Sequence, residues 1–150
     1  MSELPLTWRI ISGRLPDGLN LSVNGVISGI PAKAGKYTFT LKAENSLRSD
    51  VRQLICFVEK GSGAIVDSPT VKSKTYNSIT LNAVPAPPEQ TIEYAICASN
   101  IADEANMIWQ EEVIFEDLTP FATYYVYARA KENENYLSGE ASVSGEIITE

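Results

Sequence analysis

The sequence predicts an all-β protein made of two sandwich modules in tandem. Three observations carry this. Short apolar runs alternate with polar residues, clusters of Gly, Pro and Asn punctuate them, and no segment shows helical periodicity. Composition agrees: of 150 residues, 44% are hydrophobic and 21% charged, the balance of a folded globular chain, which excludes disorder and collagen. No stretch approaches the roughly 20 apolar residues of a membrane helix. The first residues show no basic patch followed by an apolar run, so no signal peptide is expected in this chain.

In the first half, Leu6-Thr7-Trp8-Arg9-Ile10-Ile11 is a β-rich apolar run. Pro16-Asp17-Gly18 is the strongest turn signal in the cluster that follows, because Asp bonds to its own backbone and glycine accepts positive φ. Leu19-Asn20-Leu21-Ser22 alternates. Asn24-Gly25, between Leu21-Ser22-Val23 and Val26-Ile27-Ser28, predicts a hairpin, because both turn positions tolerate positive φ. Gly29 and Pro31 end that strand, and Ala34-Gly35 makes the next turn. Beyond it, Tyr37, Phe39, Leu41 and Ala43 alternate with Lys36, Thr38, Thr40 and Lys42, which predicts one buried and one wet face. Residues 51–58 form another strand.

Lys60-Gly61-Ser62-Gly63-Ala64 interrupts the pattern, and a flexible Gly/Ser linker is expected at 61–65 between modules at 1–60 and 66–150. The second module should place strands at 70–74, 78–84, 92–99, 109–115, 123–131 and 143–148. Pro85-Ala86-Pro87-Pro88 separates the second of these from the third, since proline has no donor for a ladder. Residues 100–106 are expected as a helical turn or a loop, with the loop favoured. This spacing of short strands is that of a β-sandwich.

Charge separates the halves. Residues 1–60 carry eight Lys/Arg and five Asp/Glu, a net of +3; residues 61–150 carry four and fourteen, a net of −10. Such asymmetry fits two units, and an acidic second half repels phosphate backbones, so no nucleic-acid partner is expected. With no histidine in the sequence, Ser-His-Asp and Cys-His catalysis and His-ligated metal sites are excluded. Cys56 and Cys97 each sit inside an apolar run and read as small buried hydrophobes rather than a bridge between modules.

These residues also carry two resemblances. Leu4-Pro5-Leu6-Thr7-Trp8, Gly13-Arg14-Leu15-Pro16-Asp17-Gly18-Leu19, Gly25-Val26-Ile27-Ser28-Gly29-Ile30-Pro31 and Ala34-Gly35-Lys36-Tyr37-Thr38-Phe39 closely resemble the putative-Ig, cadherin-like repeats of bacterial surface proteins. Such repeats have strands ahead of the Trp strand, so the resemblance implies that this module is N-terminally truncated, with an unpaired edge. In the second half, Leu118-Thr119-Pro120 followed by Thr123-Tyr124-Tyr125-Val126-Tyr127-Ala128-Arg129-Ala130 resembles a fibronectin type III domain of secreted proteins. That resemblance implies a tyrosine corner at Tyr124 and an inward-facing third strand at Tyr94 and Ile96. The tryptophan usual on the family's second strand is absent. Together they imply two immunoglobulin-like β-sandwiches in tandem and an extracellular or cell-surface location.

Candidate sites are few. Glu111-Glu112, Glu116-Asp117 and Asp103-Glu104 are carboxylate pairs, but neighbours on a strand point to opposite faces, so they read as solvated acids rather than a glycosidase dyad. Calcium often bridges cadherin-like repeats; here the matching stretch, Glu44-Asn45-Ser46-Leu47-Arg48-Ser49-Asp50, lacks an Asp-x-Asp pattern and contains Arg48. No metal or cofactor is expected. Trp109, Tyr136 and Tyr76 could offer flat faces for sugar rings, or pack on the sandwich. On the strand at 123–131, Tyr125, Tyr127, Arg129 and Lys131 share the outward face, as a partner-binding stripe or a cross-strand ladder.

The function expected is that of a non-catalytic structural, adhesion or spacer module pair of a bacterial secreted or cell-surface protein; the alternative is a carbohydrate-binding accessory module. Expected partners are neighbouring modules or another protein chain, with polysaccharide in the alternative. No membrane insertion is expected. Oligomerisation would run through the unpaired edge of the first module.

Overall fold

A computed structural model describes residues 4–101 and 103–150. The chain divides into two compact units, one ending at Gly61 and the other beginning at Ser62.

The first unit contains β1 (Thr7–Gly13), β2 (Leu19–Leu21), β3 (Ile27–Gly29), β4 (Gly35–Glu44) and β5 (Ser49–Val58). β1, β4 and β5 form an antiparallel sheet in the order β1-β4-β5, and β2 pairs with β3 as a separate hairpin. The alternation along β4 does what its sequence predicts: Phe39 and Leu41 are buried, with Leu15, and Trp8, Ile10, Leu19, Leu21 and Cys56 pack against them. Pro16-Asp17-Gly18 makes its turn, closed by the Leu19 amide donating to Pro16 O at 3.1 Å.

The hairpin expected at Asn24-Gly25 forms between β2 and β3, with a longer loop than two residues. Gly25 alone takes positive φ, at 85°. The Ser22 amide donates to Val26 O at 2.8 Å and the Gly25 amide to Ser22 O at 3.0 Å, so the loop has three residues with glycine in the left-handed position, rather than a two-residue turn. The Ser22 hydroxyl accepts from the Val26 amide and completes the loop. Trp8 explains why glycine is required twice over. A Cβ on Gly25 would lie 2.8 Å from the indole ring, and the Trp8 amide donates to Val23 O at 3.0 Å.

The second unit is a two-layer sandwich. One sheet holds β6 (Val71–Lys74), β7 (Ile79–Leu81) and β9 (Ile114–Phe115). The other is built on β10 (Thr123–Ala130), paired with β8 (Ile92–Cys97), β11 (Ser142–Val143) and β12 (Ile147–Ile148). Ile79, Leu81 and Phe115 from the first sheet meet Tyr94, Val126, Ala128 and Ile147 from the second in one core. Ile79 and Leu81 supply the aliphatic packing on the strand that lacks a tryptophan. The Tyr94 hydroxyl accepts from the Val84 amide at 2.8 Å, so this buried phenol is satisfied.

Three further expectations need correction. Residues 109–115 are strand only at Ile114–Phe115, with Gln110 adding an isolated bridge to Tyr94. The region expected as a loop at 100–106 contains a single 3-10 turn, Glu104–Asn106, with Ala102 outside the described residues. The stretch expected to link the modules contains residues packed in the second unit. Ala64 lies against the core, and Gly63 abuts Gly139 so closely that a Cβ would lie 2.2 Å from the Gly139 nitrogen. The buried Gln90 side chain fixes this junction: its carbonyl accepts from the Ala64 amide at 3.0 Å, and its amide donates to Lys131 O and Leu137 O, each at 3.0 Å.

The turn before β10 stores strain. Phe121 has φ 56° and is 83% exposed, a conformation in which a bulky side chain is an outlier. The Thr149 hydroxyl holds it, accepting from the Ala122 amide at 3.1 Å and donating to Thr119 O at 2.7 Å.

Two stability measurements follow from these turns. Gly25→Ala is expected to destabilise the first unit by about 1–2 kcal/mol, the cost of a Cβ in the left-handed region, read from its denaturant midpoint; an unchanged midpoint would mean that the loop shifts to a negative φ at residue 25 without cost. Phe121→Gly is expected to act in the opposite sense and stabilise the second unit by up to about 1 kcal/mol. A lowered midpoint would show that the exposed ring contributes more than its backbone strain costs.

Candidate functional site

The outer face of β8 and β10 is where side chains of functional type converge. Strand pairing sets Glu93 directly opposite Arg129, and the Arg129 Nε donates to Glu93 Oε1 at 2.7 Å. Both side chains are largely withdrawn from water, at 18% and 10% exposure. A second guanidinium nitrogen donates to Glu104 Oε2 at 3.3 Å, and the guanidinium lies 3.9 Å from the centre of the Trp109 ring. Arg129 thus joins a strand, a buried acid, the 3-10 turn and an aromatic face. Its planar fork suits this role, since a lysine ammonium could not reach both acids and stack on the ring together.

The same face settles the aromatic stripe. Tyr127 was expected to face solvent but is only 3% exposed, because its hydroxyl donates to Ser99 O at 3.0 Å and the described part of the segment from Ser99 to Gln110 lies against the sheet. Burial, reinforced by the neighbouring Cys97 thiol, raises the Tyr127 phenol above its ordinary pKa. Lys131 continues the row and pairs with Glu111, which raises the ammonium pKa.

Two of the three sugar-stacking candidates, Tyr76 and Tyr136, lie at opposite ends of β10. Trp109 is half-buried, with one ring face against Arg129. Tyr136 is also half-buried; its hydroxyl donates to Glu89 Oε2 at 2.7 Å, which raises the phenol pKa. Tyr76 is 62% exposed in the turn between β6 and β7. That turn adjoins the chain's last residues, where Glu150 donates to Thr75 O and Ile148 pairs with Thr123 at the start of β10. Tyr136 lies past the other end of β10, where the Gly139 amide donates to Ala130 O. β10 has eight residues, so at about 3.3 Å per residue the two tyrosines are separated by on the order of 20 Å along the strand direction.

The acidic candidates are engaged locally. Glu44 is bound by Lys42 and Arg9, in that order of effect, which lowers its pKa. The Asn45 side chain accepts the Leu47 and Arg48 amides, and Asp50 faces Arg52 at 3.8 Å. Among the described residues, no three Cys, Asp or Glu side chains gather as metal ligands would. Glu104 serves Arg129, Glu111 serves Lys131, and Asp103 accepts from the Asn106 side chain at 2.6 Å.

Sequence reasoning missed the Glu93–Arg129 pair. Its signal was present: pairing the strands at 92–99 and 123–131 antiparallel places an acid opposite a base. It also missed Gln90, for which no periodic signal exists.

Removing Arg129 isolates a buried carboxylate. Arg129→Ala is expected to destabilise the second unit by about 3 kcal/mol, with Trp109 fluorescence shifting to longer wavelength as its ring gains water. Arg129→Lys should fall between the two. A wild-type midpoint for Arg129→Ala would mean that Glu93 finds other compensation.

Comparisons with known proteins bear on the family. Residues 2–55 match the family model described as a putative Ig domain. Among solved structures, a run of domains from titin aligns at TM-score 0.48 and 17% identity, over 96% of this chain and 53% of that one. The FN1-FN3 domains of chicken CNTN1 align at TM-score 0.46 and 16% identity, over 97% and 54%. A two-domain fibronectin type III segment of chicken tenascin aligns at TM-score 0.47 and 17% identity, over 96% and 82%. The chain spans about half the length of the titin and CNTN1 chains. A search of curated proteins finds no match. In the second unit, the Tyr124 hydroxyl accepts from the Thr119 amide at 2.9 Å, the upstream bond of a tyrosine corner. Residues 2–55 are thus similar to the putative Ig family, and the second unit is a two-layer β-sandwich whose tyrosine-corner bond fits its resemblance to the fibronectin type III family.

Proposed function

We propose that the chain is a non-catalytic structural module pair, acting as a spacer or adhesion segment in a bacterial secreted or cell-surface protein, with neighbouring modules as its partners. One observation carries this reading. The side chains of the second unit best suited to chemistry are spent on closing the sandwich: Arg129 on Glu93, Glu104 and Trp109, Lys131 on Glu111, and Tyr136 on Glu89. A module whose polar groups are mutually satisfied is suited to holding shape. The absence of histidine from the sequence removes the commonest general base. No helix among the described residues is long and apolar enough to cross a membrane.

The alternative, a carbohydrate-binding accessory module, is favoured by Tyr76, whose ring stands in solvent. Electrophoresis through gels containing xylan, β-glucan or pectin separates the two readings. The spacer reading expects equal mobility with and without polysaccharide, for the native chain and for Tyr76→Ala and Trp109→Ala alike. Retardation of the native chain that is lost in either variant would replace it with the carbohydrate reading.

A further inference from the structure

The first unit has a long strand whose outer edge is open. β5 has ten residues and pairs with β4 along its whole length without a register break. Among the described residues it has no partner on its other side. Proteins guard such edges with charge, proline, a bulge or short length. Residues 53–58 of β5, Gln53-Leu54-Ile55-Cys56-Phe57-Val58, carry none of these. Its apolar side chains remain exposed on both faces: Leu54 at 40% on the core face, and Val51, Ile55 and Phe57 at 48%, 54% and 70% on the other. A cavity of about 250 Å³, lined by Trp8, Leu41, Ala43, Asp50, Arg52 and Leu54, opens on the core face beside the same strand.

We infer that this edge joins two copies of the chain, β5 against β5, in one continuous antiparallel sheet. The strand is its own complement. With a two-fold axis through Leu54 and perpendicular to the sheet, Val51 lies opposite Phe57 of the second copy, Gln53 opposite Ile55, and Leu54 opposite Leu54. Arg52 then faces Cys56 and Asp50 faces Val58, so no like charges meet directly. Each residue keeps its face, which extends the apolar row of Val51, Ile55 and Phe57 across the join and brings Leu54, Cys56 and Val58 of the second copy to the cavity side. The isologous geometry closes at two copies, and backbone hydrogen bonds supply the pairing. The charge balance places the join on the half of net +3 rather than the half of net −10.

Sedimentation velocity on the full chain tests this. The native chain is expected to show a monomer–dimer equilibrium at up to about 100 µM. Gln53→Lys with Ile55→Lys sets lysine opposite lysine at both symmetry-related positions, on a row that the monomer exposes to solvent. It is expected to weaken the dimer about tenfold or more. Gln53→Lys with Ile55→Glu sets lysine opposite glutamate in the same register and is expected to restore it. Near-UV circular dichroism confirms that each variant keeps its fold. A native chain that stays monomeric overturns the inference regardless of the variants. So does a dimer undiminished in the double-lysine variant, or one no tighter in the lysine–glutamate variant.

Discussion

Both faces of β10 are covered, and the second unit is organised around that constraint. Its inward residues Val126, Ala128 and Ala130 are completely buried, and the strand pairs with β8 on one side and with β11 and β12 on the other. A strand flanked by neighbours on both edges and covered on both faces has no exposed backbone, so each of its polar atoms must find a partner inside. The chain meets that demand even where the ladder breaks between β11 and β12. There the Ser144 hydroxyl accepts from the Val126 amide, and the Ser144 amide donates to Val126 O. The Glu93–Arg129 pair obeys the same logic, because a charge under a covering segment is tolerable only when matched.

The two units solve the core problem differently. Among the described residues, eleven buried ones form a single cluster in the second; in the first, three do, with partly exposed neighbours filling in. The difference is topological. A hairpin of two three-residue strands covers only part of a sheet whose longer strands have ten residues. Leu54 and the cavity beside it lie at the uncovered end, where the alternation of β4 has prepared an apolar face larger than the layer laid upon it. Small units bury a smaller fraction of their surface to begin with, so this one draws much of its order from backbone pairing and from the Trp8–Gly25 contact.

Most of this was legible in the sequence wherever a local rule decided the outcome. The period-two pattern of residues 36–43 gave the buried face of β4, and the Pro16-Asp17-Gly18 turn formed where it was written; the upstream bond of Tyr124 followed instead from the resemblance to fibronectin type III domains. What local rules could not give were features that depend on a partner distant in the chain. Tyr127 has the parity of a solvent-facing residue and is buried because a crossing segment lies over it. Gly63 reads as a linker glycine and is instead a point of backbone contact with Gly139. Each was misread for the same physical reason: composition reports what a residue tolerates, and tertiary packing decides which of its options is used.

Gln90 binds residues 64, 131 and 137, three stretches with no sequence proximity, through one planar amide. Its carbonyl and both amide hydrogens are engaged, so the group cannot rotate to keep some bonds while others break. Opening of the entry segment therefore leaves the buried Gln90 carbonyl without its donor, and opening of the loop after β10 leaves the two amide hydrogens without acceptors. Both segments draw on one side chain, so the start of the sandwich and a loop some 70 residues away in the chain are steadied by the same buried amide.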